Sequence, residues 1–235
     1  MSYFVTGTDT GVGKTLISCA LLHAFAAQGK RVAGFKPVAA GCDDDEHNDD
    51  AKALRAASTM QLTYGQVNPY CFRRAIAPHL AARHSGVRIE LKRMLTSYRE
   101  LAGQSDEVIV EGAGGFLVPL NDKQTSADLA QELNLPVILV VGMRLGCLNH
   151  ALLTVQAIAE YRLECAGWIA NVLDAEMPAL QENIEALRER IAAPLLGIVP
   201  YQAQPDAQTV ASVLDLQLLE RTTIDPQSTQ INADF

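Results

Sequence analysis

A short apolar run, "YFVTG" at residues 3–7, passes directly into "GTDTGVGKT" at 7–15 and then into a long helical pattern at 14–28. That succession constrains the fold more than any other feature of the chain. A glycine-rich turn between a strand and a helix leaves consecutive backbone N–H groups free at the helix's positive end, an arrangement that holds phosphate oxygens. Lys14 adds a mobile cation, and Thr15 a hydroxyl suited to Mg²⁺. The usual spacing, G-x-x-x-x-G-K-[ST], would put the first glycine at position 8, where Thr8 stands. The loop is therefore enlarged by one residue at its front, while G-K-T stays against the helix.

The rest of the chain repeats this strand-then-helix rhythm. Apolar runs occur at 31–38 ("RVAGFKPV"), 107–112 ("EVIVEG"), 136–142 ("PVILVVG"), 166–172 ("AGWIANV") and 194–200 ("PLLGIVP"). Several are apolar on consecutive residues instead of alternating, as strands covered by helices on both faces require. Helical patterns at 91–102, 126–133, 149–161 and 179–191 are long enough to serve as crossovers. The expectation is an α/β fold with a central, mostly parallel sheet, formed by a single domain across residues 1–235. Beyond residue 204 the pattern weakens, so about 206–235 reads as a C-terminal segment ending in a loose polar tail, "IDPQSTQINADF" at 224–235.

Composition removes several functions. A formal net charge of −8 argues against a broad basic surface for nucleic acid or anionic lipid, so any phosphate affinity has to be local. The five cysteines, Cys19, Cys42, Cys71, Cys147 and Cys165, are odd in number and widely spaced, without a C-x-x-C pair. They read as reduced thiols, not as a disulfide framework or a zinc site. No leader and no membrane span is expected, which makes the protein soluble and cytoplasmic.

In an open parallel sheet, ligands bind beyond the carboxyl ends of the strands, so the residues just after each run carry the most information. Lys36 ends the second run beside Pro37, either as a snorkelling edge residue or, next to a phosphate loop, to reach the γ-phosphate from the side opposite Lys14. Within the acidic stretch "CDDDEHNDDAK" at 42–52, Asp50 opens a short helical pattern, as either a cap or a hard oxygen ligand. Glu111 ends the third run and enters "GAGG", where an unpaired carboxylate is costly unless a metal or water meets it. "GMRLGCLNH" at 142–150 is a helix start whose free N–H groups either hold an anion or face water. Asn171 ends the fifth run, to contact a base or to cap the next turn. The histidines and Cys147 show no nucleophile or metal-ligand spacing.

Taken in order, "GTDTGVGKT", "GFKPVAAG", "NDDAKAL", "VNPYCF", "APHLAA", "VEGAGGFLVPL", "PVILVVGMRLGCLNHALLT", "GWIANV" and "PLLGIVP" resemble the dethiobiotin synthetase family from about residue 1 to about residue 205. That family shares the early glycine. The resemblance implies a P-loop NTPase fold with helices on both faces of the sheet, acting as a homodimer. It also implies an ATP-dependent ligase of biotin biosynthesis, converting 7,8-diaminononanoate, CO₂ and ATP, with Mg²⁺, into dethiobiotin, ADP and phosphate. By the same resemblance Gly11, Val12, Gly13, Lys14, Thr15 and Leu16 bind phosphates, and Thr15, Asp50 and Glu111 serve Mg²⁺. Thr10, Lys14 and Lys36 attend the reacting groups. Glu111, Gly112, Ala113 and Gly114 line the nucleotide site, Asn171 meets adenine, and Pro200 and Tyr201 flank the base. Gly146, Cys147, Leu148 and Asn149 offer helix N-terminal amides to the substrate carboxylate of the opposite subunit. Ala40, also near the substrate, departs from a position where the family commonly carries a hydroxyl. "NVLD" at 171–174 has the outline of the guanine-reading N-K-x-D element without its lysine.

Two rival readings share parts of this pattern. A partner-regulated ATPase of the MinD/ParA type has the same fold, but its signature lysine would fall at Asp9, and no amphipathic membrane tail is evident. Amidating enzymes of the cobyric acid synthase type have similar loops and usually carry a further glutamine-hydrolysing domain.

Overall fold

The computed structural model describes residues 2–45 and 47–222. In chain order the elements are β1 (Tyr3–Gly7), α1 (Lys14–Ala27), β2 (Val32–Phe35), β3 (Val38–Ala40), α2 (Asp49–Ala57), α3 (Tyr64–Val67), β4 (Tyr70–Phe72), α4 (Pro78–His84) and α5 (Leu91–Ala102). They continue with β5 (Glu107–Glu111), α6 (Ser126–Leu133), β6 (Val137–Met143), α7 (Cys147–Glu160), β7 (Cys165–Val172), α8 (Leu180–Arg188), β8 (Leu195–Val199), α9 (Ala207–Ala211) and α10 (Gln217–Thr222).

Six strands form one parallel sheet in the order β2-β5-β1-β6-β7-β8. Every residue of β1, β5 and β6 is buried, which is why these strands are apolar on consecutive positions. From β1 the chain crosses to the edge strand β2 and later returns to β5 beside β1, then passes to the other side of β1 for β6, β7 and β8. The crevice beyond the carboxyl end of β1 is therefore the topological switch point, where an open α/β sheet takes ligands.

The run at 31–38 is not one strand. Its first part is β2, and β3 leaves the main sheet to pair in parallel with β4, Val38 opposite Tyr70. Pro37 sits at the break, where it has no N–H to continue the ladder, and the preceding amide of Lys36 turns to the carbonyl oxygen of Val67 at 2.8 Å. This side sheet also corrects the reading of the cysteines. Gly41 and Cys42 both donate backbone N–H groups to Phe72 O, which carries Cys42 beside Cys71, and the two sulfurs are bonded with Cα atoms 6.3 Å apart. Cys19, Cys147 and Cys165 are free.

The weakly patterned segment past residue 204 forms two short helices. Asp206 caps α9 by accepting from the amides of Gln208 and Thr209, and Val210, Leu216 and Leu219 are buried in the core cluster. The proposed loose tail at 224–235 lies outside the described residues. Among the described residues, no helix is long and apolar enough to cross a membrane.

Candidate active site

The phosphate-loop candidate begins where β1 ends. Gly11 and Gly13 adopt φ of +73° and +90°, left-handed values that a side chain would strain. Gly13 is the N-cap of α1 and has no side-chain cap, so the first-turn amides of that helix keep their donors for a ligand. Lys14 is buried and donates Nζ to Asp9 O at 2.8 Å. Burial, then the nearby charge of Lys36, push its pKa down to about 8, against the pull of Glu111, Asp50 and Asp9. Val12 is buried and Leu16 packs against the core, so each has only its backbone to offer a ligand.

Two carboxylates meet at Thr15, and Lys36 meets both of them. Its hydroxyl lies 2.8 Å from Asp50 Oδ1 and 3.0 Å from Glu111 Oε1, and one hydroxyl proton satisfies one of them at a time. Lys36 Nζ reaches Glu111 Oε1 at 2.5 Å, Asp50 Oδ2 at 3.0 Å and Gly112 O at 3.3 Å. Burial opposes the charge of Lys36, but Glu111 and Asp50 outweigh it and raise the pKa above the usual lysine value. Asp50 is held below the usual carboxylate range because Lys36 and the Thr15 hydroxyl overcome the cost of its burial.

Asp50 is not the cap of its helix. Asn48 is, accepting from the backbone N–H groups of Asp50 and Ala51, which leaves the Asp50 carboxylate free to face Thr15. The sequence carries a signal for this: an asparagine directly before two acidic first-turn residues is an N-cap pattern. Glu111 is fully buried, and its Oε2 has no hydrogen-bond partner among the described residues. A buried carboxylate oxygen without a partner, beside a second carboxylate and a hydroxyl, is a donor set that fits a hard divalent cation such as Mg²⁺.

These groups open onto a cavity of about 730 Å³. Thr10, Gly11, Gly13, Lys14, Thr15, Lys36, Asp50 and Glu111 line it, together with the apolar Ala39, Ala40, Ile76, Pro78 and Val118. Ala113 and Gly114 also line it, Gly114 with a φ of +65°. Ile76 and Val118, not named from sequence, carry no chemistry that a motif would flag. A second cavity of about 610 Å³ lies between α1 and the α9–α10 segment, remote from this cluster.

The remaining candidates stand apart from the cavity. Asn171, at the end of β7, donates Nδ2 to Val12 O at 2.9 Å. Pro200 and Tyr201 follow β8 and are exposed. Gly146 is the N-cap of α7 at φ +94°; Cys147 is buried, Leu148 half-buried and Asn149 exposed. Arg144, just before them, is ion-paired with Asp9. The Asp9 carboxyl is held below its usual pKa by the Thr10 amide, which donates to it at 2.7 Å, and by Arg144.

The comparisons with known proteins give the family and the fold. A family model described as an AAA domain matches residues 1–209. The chain is 54% identical over 214 residues to the ATP-dependent dethiobiotin synthetase BioD of Nitrosospira multiformis, covering 91% of this chain and 94% of that protein. It is 53% identical over 218 residues to the same enzyme of Aromatoleum aromaticum, covering 92% and 97%. Among solved structures, the MinD cell division protein of Aquifex aeolicus superposes with a TM-score of 0.54 at 14% identity, covering 95% of this chain and 97% of that one. That likeness shows a shared fold and nothing about activity.

Proposed function

The chain belongs to the ATP-dependent dethiobiotin synthetase family, and from that premise we propose that it joins CO₂ to 7,8-diaminononanoate at the expense of ATP, giving dethiobiotin, ADP and phosphate. The observation that carries this reading is the convergence of Lys14, Lys36, Thr15, Asp50 and Glu111 on a cavity that the apolar residues Ala39, Ala40, Ile76, Pro78 and Val118 also line. An oligophosphate and a charged diamine need the first; an alkyl chain needs the second.

In this scheme one substrate amine captures CO₂ as a carbamate, and a carbamate oxygen attacks the γ-phosphorus, expelling ADP. The resulting carbamic-phosphoric anhydride is then closed by the second amine, which forms the second C–N bond and releases phosphate. No enzyme nucleophile is required. Anions have to approach anions, so the work of the protein is electrostatic. The amides of Gly11, Val12, Gly13, Lys14, Thr15 and Leu16 cradle the phosphates, and Lys14 exchanges the Asp9 carbonyl for a phosphate oxygen. Lys36, with Thr10, steadies the carbamate. Thr15, Asp50 and Glu111 would hold Mg²⁺, which when bound neutralises phosphate charge. The backbone of Gly112, Ala113 and Gly114 lines the nucleotide, Asn171, Pro200 and Tyr201 lie on the base side, and Ala40 borders the substrate without a hydroxyl to offer.

The same reading makes the active unit a homodimer working in the cytoplasm. Gly146, Cys147, Leu148 and Asn149 stand apart from the cavity of their own chain; the Cys147 N–H already donates to Arg144 O at 3.0 Å, so the amides of Gly146, Leu148 and Asn149 would take the substrate carboxylate in a second copy, with Cys147 part of the same turn. Leu145 beside them is 99% exposed and Leu153 on the same helix 57%, which supports an interface there.

The test is ATP turnover with and without the diamine and bicarbonate. Equal amounts of ADP and dethiobiotin, formed only when all three substrates are present, are expected. ATP hydrolysis indifferent to the diamine and to CO₂ would overturn the reading.

A further inference from the structure

The phosphate-loop candidate does not hold its shape alone. Val12 is buried between two strand ends: a Cβ added to Gly7 would lie 2.6 Å from Val12 Cγ2, and one added to Gly142 would lie 2.8 Å from Val12 Cγ1. Gly142 on β6 is the register partner of Asn171 on β7. Asn171, only 5% exposed, donates Nδ2 to Val12 O at 2.9 Å. A carbonyl oxygen only accepts, so this bond fixes which way the amide faces. The next residue, Gly13, packs so closely that a Cβ there would fall 2.2 Å from the same Nδ2. At the loop's other end Thr8 donates its N–H to Val140 O at 3.0 Å, and Gly142 donates its N–H to Thr8 Oγ1 at 3.4 Å.

We infer that Asn171 is a positioning residue for phosphate binding: it acts through the Val12 carbonyl, clamping the Val12–Gly13 peptide so that the amides opening α1 stay aimed at a bound oligophosphate. This deepens the proposed function, on which it rests. There Asn171 only meets the base; here it also sets the phosphate loop, so the two ends of the nucleotide site are mechanically one. Removing its side chain leaves Val12 O buried without a donor, a loss on the scale of about tenfold in the affinity of whatever the loop holds.

The probe is Mg-tripolyphosphate, which has neither base nor ribose, measured by titration calorimetry beside MgATP. Asn171→Ala is expected to weaken both by a similar factor, about tenfold or more, and to raise KM for ATP, GTP and CTP together. Unchanged tripolyphosphate binding with weakened ATP would overturn the inference and leave Asn171 a base contact alone. Val12→Ala, which removes the side chain packed against Gly7 and Gly142 and loosens the residue whose carbonyl Asn171 holds, provides an independent variant and is expected to give the same joint loss; normal tripolyphosphate affinity in it would also overturn the inference. Failure of the wild-type protein to bind either ligand would instead sink the phosphate-loop reading itself, and this inference with it.

Discussion

Lys36 Nζ lies 2.5 Å from Glu111 Oε1, and both side chains are buried at the carboxyl edge of the sheet. Neither charge has water to return to, so each depends on the other, and Lys36 also on Asp50 at 3.0 Å. A buried pair of this kind contributes little net stability, but removing one member strands the other. Lys36→Met is therefore expected to lower stability by about 3–5 kcal/mol and turnover by at least ~10²-fold. The double variant Lys36→Met/Glu111→Gln should recover most of the stability and none of the activity. Denaturant unfolding of the three proteins checks this, and a double variant no more stable than the single one would mean the two groups are not coupled.

Asp50 and the neighbouring Asp49 provide an internal control for metal binding. Both open α2, but only Asp50 faces Thr15, while Asp49 is exposed and paired with Lys52. Mg²⁺ at about a hundred times its dissociation constant is expected to stabilise the native protein by about 2.7 kcal/mol. Asp50→Asn should shift that titration to at least about tenfold higher Mg²⁺, the scale of losing one carboxylate ligand. Asp49→Asn should leave it in place. Thermal shift against Mg²⁺ concentration decides the matter, and an Asp50→Asn curve lying on the wild-type curve would remove this residue from the metal site.

Much of this was legible in the sequence, for identifiable reasons. The spans of β1, α5 and α6 agree with the periodicity because their signals are local: a fully buried run in β1, an amphipathic stretch in α5, and in α6 a Thr125–Asp128 capping box. In the sequence Thr15, Asp50, Glu111 and Lys36 stand out as separate residues, by motif, by a helix start or by position at a strand end. That their atoms sit within hydrogen-bond distance of one another is a property of sheet order, which places β5 beside β1 and β2 beside β5. The region 42–85 resisted reading because its elements are three to nine residues long, too short for a period to declare itself. Asn171 posed the hardest case. Its partner, Val12, is 159 residues away, and a hydrogen bond across that distance leaves no mark in local composition.

Lys14 should give the metal-free protein a recognisable pH signature. Its pKa, near 10.5 in an unfolded chain, is lowered to about 8 by burial and by Lys36. A base with a depressed native pKa binds its proton more weakly when folded, so below pH 8 carrying the charge costs stability. The cost is relieved as pH rises from 8 towards 10.5, and amounts to about 3 kcal/mol over that window. With divalent metal removed by chelation, wild type minus Lys14→Met should therefore show stability rising with pH across that range. A flat difference curve would mean that Lys14 keeps an ordinary lysine pKa in the folded protein.

The Cys42–Cys71 bond closes a loop with a sequence separation of 29, and that loop carries Asn48 and Asp50. Cross-linking a loop of this size restricts the unfolded chain by about 3–4 kcal/mol in the chain-entropy account. Opening it is also expected to loosen the segment whose cap, Asn48, holds the first turn of α2 and through Nδ2 ties back to Gly41 O at 3.2 Å. Reduction should thus have two consequences: a lower unfolding midpoint and a weaker Mg²⁺ response, because Asp50 rides on that turn. Cys42→Ser should reproduce both and then be indifferent to reductant. Unfolding curves and Mg²⁺ titrations with and without a dithiol, run on wild type and Cys42→Ser, separate the two effects. Coincident wild-type unfolding curves in the oxidised and reduced states would show that the ladder between β3 and β4 holds this segment without the bond.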